Sequence, residues 1–112
     1  MASPEPRNMA KSEAYGIPVQ AWGRLKAAFG KYSAVHAATL YGSRAKGNYR
    51  HNSDIDLMLT APTLSWSEFN QLEQDIDDLL LPWKIDLTLR HQVENPDLLE
   101  HVDRVGITIY DA

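Results

Sequence analysis

The stretch Gly42-Ser43-Arg44-Ala45-Lys46-Gly47-Asn48-Tyr49-Arg50-His51-Asn52-Ser53-Asp54-Ile55-Asp56-Leu57 decides how this chain is read. Just before it, Ala34 to Tyr41 (AVHAATLY) is short, fairly apolar and ended by Gly42, which favours a strand over a helix. From Gly42 to Ser53 there are three cations, Arg44, Lys46 and Arg50, and no acid. Asp54 to Thr60 (DIDLMLT) then alternates, with Ile55, Leu57 and Leu59 on one face and Asp54, Asp56 and Met58 on the other. A strand ending in Gly-Ser aims backbone N–H groups and a hydroxyl at an anion, and glycine allows that anion close to the main chain. Two carboxylates on one strand face repel each other unless a divalent cation lies between them. A local positive turn beside paired acids is the expected arrangement.

Upstream, Trp22, Leu25, Phe29 and Tyr32 fall at helical spacing between Ile17 and Tyr32, which predicts an amphipathic helix. After Pro62, Ser65 and Glu68 form a capping-box pattern ahead of Phe69, Leu72, Ile76, Leu79 and Leu80, and Pro82 stops that second helix. Trp83 to Leu89 (WKIDLTL) alternates with Lys84, Asp86 and Thr88 on its polar face. If this strand pairs beside the Asp54 strand, it brings a third carboxylate to the same place. Asn95-Pro96 opens a short helix to about Asp103, and Val105, Ile107 and Ile109 alternate in a terminal strand. Two strands are joined by a link too short for a crossover helix, and others by helices. The expected fold is therefore α/β of the α+β type, a mixed sheet of about four strands with helices packed on one face.

The chain has 112 residues, 44% hydrophobic and 23% charged, which fits one globular domain and no second one. Residues 1–16, with two prolines before Gly16 and no apolar run, read as a flexible tail without a signal peptide or membrane span, and 17–112 as the domain. Met9 is a possible second start site. Eleven Lys and Arg against fifteen Asp and Glu give a net charge of −4, which argues against extended nucleic-acid binding. The absence of cysteine removes disulfides, thiol nucleophiles and thiolate metal sites and fits a cytoplasmic setting. His36, His91 and His101 show no metal-ligand spacing and take no role, and His51 reads as a loop residue. No Walker-type loop or Gly-x-Gly-x-x-Gly is present.

Each feature has a plain structural reading. A lone Gly-Ser pair is usually an ordinary turn, Asp-x-Asp a solvated strand face, and Asp86 beside Lys84 and Thr88 an exposed edge. Their joint spacing is what points to chemistry. Gly-Ser, ten residues, Asp-x-Asp, and a further Asp one helix and one strand later resemble the signature of the DNA polymerase beta-type nucleotidyltransferase superfamily. The GSRAKG loop and the LPWKIDL setting of Asp86 resemble its minimal nucleotidyltransferase (MNT) family from about Ile17 onward.

That resemblance implies a polymerase beta-like core with Asp54 and Asp56 as ligands of two Mg2+ ions. It implies Asp86 as ligand of the catalytic ion and base for the acceptor hydroxyl. Gly42 and Ser43 would hold the β- and γ-phosphates of ATP or another NTP, with Arg44 beside them. Lys46 stands where many antitoxin members have Arg, which keeps the charge and loses the bidentate fork. The implied partner is a small helical protein encoded by the adjacent gene, either a HEPN-type toxin or a substrate-binding protein. The implied activity is transfer of NMP, as AMP, to a hydroxyl of that partner in a toxin–antitoxin pair. Nucleotidyl transfer to a small molecule, and a non-catalytic module that masks a helical partner, are the alternatives. Few residues beyond the sheet, acids and turn remain to grip an acceptor, which favours the separate partner.

Overall fold

The computed structural model describes residues 13–112. Two-residue strands β1 (Glu13–Ala14) and β2 (Ile17–Pro18) form a hairpin. Its turn residues, Tyr15 (φ 57°) and Gly16 (φ 76°), both lie in the left-handed region that a tight two-residue hairpin uses. Of the expected tail, residues 1–12 lie outside the described residues. Residues 13–16 are folded, because the hairpin is pinned by a 2.8 Å bond from the Trp22 indole N–H to the Ala14 carbonyl.

Helix α1 (Val19–Gly30) follows, with Ala21, Trp22, Leu25, Ala28 and Phe29 buried at helical spacing. Strand β3 (Ala37–Tyr41) leads into the one-turn helix α2 (Ser43–Lys46), and β4 (Ile55–Thr60) into α3 (Trp66–Asp77). The Ser65–Glu68 capping box forms in both directions, at 3.0 and 3.1 Å. Helix α3 ends at Asp77, before the expected stop at Pro82, because the chain turns at Leu80 (φ 55°) and leaves that side chain 86% exposed. Strand β5 (Ile85–Leu89), helix α4 (Pro96–Val105, N-capped by Asn95) and strand β6 (Ile107–Asp111) complete the chain. Val105, expected in the last strand, ends α4, since the helix continues until Gly106.

The sheet order is β5-β4-β3-β6, with β3 antiparallel to both β4 and β6, and β4 parallel to β5. The mixed sheet expected from the short link is the one observed. Ile55, Leu57 and Leu59, all fully buried, face α1 and α3 in the main core with Leu40, Phe69 and Leu72. The expected packing of helices on one face alone does not hold: the opposite face is partly covered, because α4 sets Val102 against Tyr41 and Met58. Alternation therefore leaves Asp56 on the less-covered face.

Candidate active site

The site is built at the end of the sheet where β3 leaves and β4 and β5 enter. Parallel pairing sets Asp56 opposite Asp86, and antiparallel pairing sets Asp56 opposite Tyr41, so the three side chains share one face. Asp54, two residues before Asp56, lies just ahead of β4 and is exposed, as is Asp86, whereas Asp56 is half-buried. Burial pushes the Asp56 carboxyl above the usual carboxylate range, Asp86 and then Asp54 add like-charge repulsion, and Lys84 opposes them. The third acid that depended on strand pairing is thus brought beside the first two.

Gly42 makes this packing possible. Its backbone (φ 76°, ψ −153°) lies in a region open in effect to glycine alone, and an added Cβ would collide with the Asp56 carboxylate. The turn and the central acid therefore interlock. Lys46 and Gly47 donate the first helical bonds back to Gly42 and Ser43, which leaves the N–H groups of Ser43, Arg44 and Ala45 without an intrahelical acceptor. The Gly42 N–H itself lies beyond the β3 ladder and donates to His101 Nε2 at 3.4 Å. His101 also stands edge-on to the Tyr41 ring, centroid to centroid 6.3 Å, and the Tyr41 hydroxyl meets Thr88 Oγ1 at 3.3 Å. Burial raises the Tyr41 phenol above its ordinary value; the Thr88 bond opposes this, and the charges of Asp56 and Asp86 reinforce it. Tyr41 and His101 were given no role from sequence, and only their meeting across β3, β5 and α4 marks them.

Arg44 corrects an expectation. Instead of standing beside Gly42 and Ser43 as a phosphate holder, it is 1% exposed and turned into the loop that follows α2. Nη1 donates to the Tyr15 carbonyl at 2.9 Å, Nη2 to the carbonyls of Ser53 (2.9 Å), His51 (3.1 Å) and Arg50 (3.4 Å), and Nε to Ser53 at 3.2 Å. The Tyr49 ring covers the guanidinium at 4.8 Å. Each of its three nitrogens donates to a main-chain carbonyl and the side chain is almost wholly buried, so it is committed to the protein and not to a phosphate. What Arg44 does is hold the chain that runs into Asp54, a loop also gripped by the Trp83 indole, which donates to the His51 carbonyl at 3.1 Å.

Among the described residues, no three His, Cys, Asp or Glu side chains converge tightly enough to hold a metal ion by themselves. The donor set nevertheless fits Mg2+: hard carboxylate oxygens, crowded like charges, and two exposed side chains free to turn. Mg2+ is ordinarily held by one or two carboxylates completed by substrate phosphates and water, not by an all-protein cage. A cavity of about 290 Å3 lies elsewhere, lined by Val19, Trp22, Lys26 and Ile109 among others, and the acids do not border it. No described helix is long and apolar enough to cross a membrane.

Residues 24–112 match the family described as polymerase beta, nucleotidyltransferase. The chain belongs to that family and is a nucleotidyltransferase. Its fold is similar to a solved toxin–antitoxin with AMP-PNP, at 22% identity and TM-score 0.65 over 81% of this chain and 73% of that one. It is also similar to the structure of a tri-AMPylated Shewanella oneidensis HEPN toxin in complex with MNT antitoxin, at 18% identity and TM-score 0.60, covering 83% of this chain and 71% of that one. The toxin–antitoxin MntA-HepT gives 19% identity and TM-score 0.60 over 83% and 72%. No curated protein matches the sequence.

Proposed function

We propose that this nucleotidyltransferase moves AMP from ATP to a hydroxyl of a small helical HEPN-type partner protein and so acts as the antitoxin of the pair. The observation that carries the reading is the register of Asp56 with Asp86 beside the Gly42 turn. Asp54, Asp56 and Asp86 are the residues that would hold Mg2+, which when bound neutralises charge on the triphosphate and on the departing pyrophosphate. Gly42 and Ser43 present the turn to the β- and γ-phosphates. Asp86 would take the proton of an incoming hydroxyl, a role supported by its exposure on the open edge strand. The acceptor oxygen then bonds to the α-phosphorus, the bond from that phosphorus to the bridging oxygen breaks, and pyrophosphate leaves. A partner-protein acceptor is supported by the fold's likeness to MNT chains solved with HEPN toxins, one of them AMPylated.

Incubation with α-labelled ATP, Mg2+ and the helical protein encoded by the adjacent gene tests the reading. Label is expected on the partner, and Asp54→Asn or Asp56→Asn is expected to remove it. A tight complex with no transfer from any NTP would sink the catalytic reading in favour of masking. Transfer to small hydroxyl compounds and not to the protein would move the acceptor class.

A further inference from the structure

We infer that His101 is a positioning residue for the phosphate turn, acting through the Gly42 amide. The inference rests on the role proposed above for Gly42 and Ser43. Gly42 has a backbone conformation with no side chain to stabilise it, and its N–H falls one residue past the last register pair of β3, Tyr41 with Asp56. Two groups restrain it. The Asp56 carboxylate packs against its Cα from one direction, and His101 Nε2 accepts its N–H from another.

The imidazole is itself held in place. Val102, the next residue of α4, is buried against Tyr41 and Met58, which fixes how the helix lies on this face, and the Tyr41 ring meets the imidazole edge-on. Helix α4, which lies over the less-covered face of the sheet, thereby controls the orientation of the peptide that opens α2. Loss of the acceptor frees that peptide to rotate, and the turn then spends less time in the form that presents the Ser43 hydroxyl and first-turn amides together. The consequence falls on triphosphate affinity and not on the chemical step, because the hydrogen bond of His101 goes to the Gly42 amide and not to an acid.

Two substitutions separate the acceptor from the ring. His101→Phe keeps an aromatic ring against Tyr41 and has no acceptor; His101→Gln loses the ring and keeps an acceptor at similar reach. Losing one hydrogen bond of this kind corresponds to about a three- to ten-fold change. KM and Kd for ATP with Mg2+ are therefore expected to rise about three- to ten-fold in His101→Phe. kcat should stay within about two-fold of wild type, and His101→Gln should bind ATP within about two-fold of it. Thermal unfolding of both variants separates lost affinity from lost fold. Wild-type ATP affinity in the Phe variant, or equal loss in both variants, would overturn the inference while leaving the nucleotide reading intact. A wild-type protein that binds no ATP overturns the nucleotide reading and this inference with it.

Discussion

Asp56 and Asp86 are register partners on adjacent parallel strands, and one of the two is half-buried while the other is open to solvent. Under the proposed function this asymmetry would give the two like groups different work. Asp56, wedged against Gly42 and crowded by its neighbours, suits a fixed ligand; Asp86, at the edge strand, suits contact with an incoming group. Asp56→Asn is expected to lower transfer by about 10²–10⁴-fold without loss of thermal stability, since it removes like-charge repulsion in the fold. Asp86→Asn should lower kcat with a smaller effect on ATP affinity. Labelled transfer and nucleotide titration read both, and a fully active Asp86→Asn would remove that residue from the mechanism.

Gly42→Ala should be worse than its one added carbon suggests. The backbone at φ 76° and ψ −153° costs an L side chain about 1–3 kcal/mol, and the new methyl collides with Asp56. Chemical denaturation should show at least that loss, with transfer abolished in the fraction that remains folded. Retained activity would mean that the turn and the acid are not interlocked.

Arg44→Lys is not conservative here. An ammonium cannot serve four carbonyls in a plane; His51 and Arg50 keep donors from Trp83 and Ser53, but the Tyr15 and Ser53 carbonyls lose theirs, at about 1–3 kcal/mol each. We expect a stability loss of about 3 kcal/mol or more by denaturant titration. At temperatures where the variant is folded, ATP affinity should change far less than in a variant of Ser43. A selective loss of phosphate affinity with normal stability would reinstate Arg44 as a phosphate ligand.

The Tyr32 hydroxyl donates to Asp75 Oδ2 at 2.6 Å, joining the end of α1 to α3. Burial and then Asp75 push the Tyr32 phenol up to about 12, so its stabilising contribution is complete below the ordinary 10.0 and is lost as pH rises through about 12. The Tyr32 bond, followed by Gln71, holds the Asp75 carboxyl below its ordinary 3.8. That contribution is present above 3.8 and is lost as pH falls through the lowered value. The thermal stability gap between wild type and Tyr32→Phe should be flat from about pH 5 to 9 and close at both extremes. Parallel profiles across the whole range would refute the coupling.

Leu80 sits at φ 55° with its side chain 86% exposed, so it has strain without burial to offset it. Leu80→Asn should stabilise the fold by about 0.5–1 kcal/mol, because asparagine tolerates this backbone region. Calorimetry would read that as a melting temperature higher by a few degrees. An unchanged or lower value would mean that the leucine has a contact worth keeping.

The acids, the Gly-Ser turn and the mixed sheet were legible because each leaves a local mark: a period of two, a glycine at a strand end, a link too short for a crossover. Arg44 was misread for a physical reason. A guanidinium satisfied by carbonyls has the same one-dimensional appearance as one waiting for phosphate, since its partners at Tyr15 and Ser53 declare no charge. The hairpin at residues 13–18 was missed because two-residue strands are too short to show alternation. Leu79 and Leu80 continue the helical spacing of Phe69, Leu72 and Ile76, and only the backbone turn at Leu80 shows where helix gives way. His101 becomes informative only when α4 is laid across β3, a meeting of residues 59 positions apart.

The bond from Arg44 to the Tyr15 carbonyl, at 2.9 Å, also bears on where this domain begins. The family match starts at residue 24, yet the loop carrying the chain into Asp54 is anchored on a residue upstream of it. A chain trimmed to residues 24–112 would retain the three site acids and the whole four-stranded sheet, though not the hairpin or the first turn of α1 with Ala21 and Trp22. It would also open a buried guanidinium to water on the side where the hairpin now covers it. We expect such a fragment to lose order first between Gly47 and Ser53, so that the minimal folding unit is larger than the minimal recognisable one.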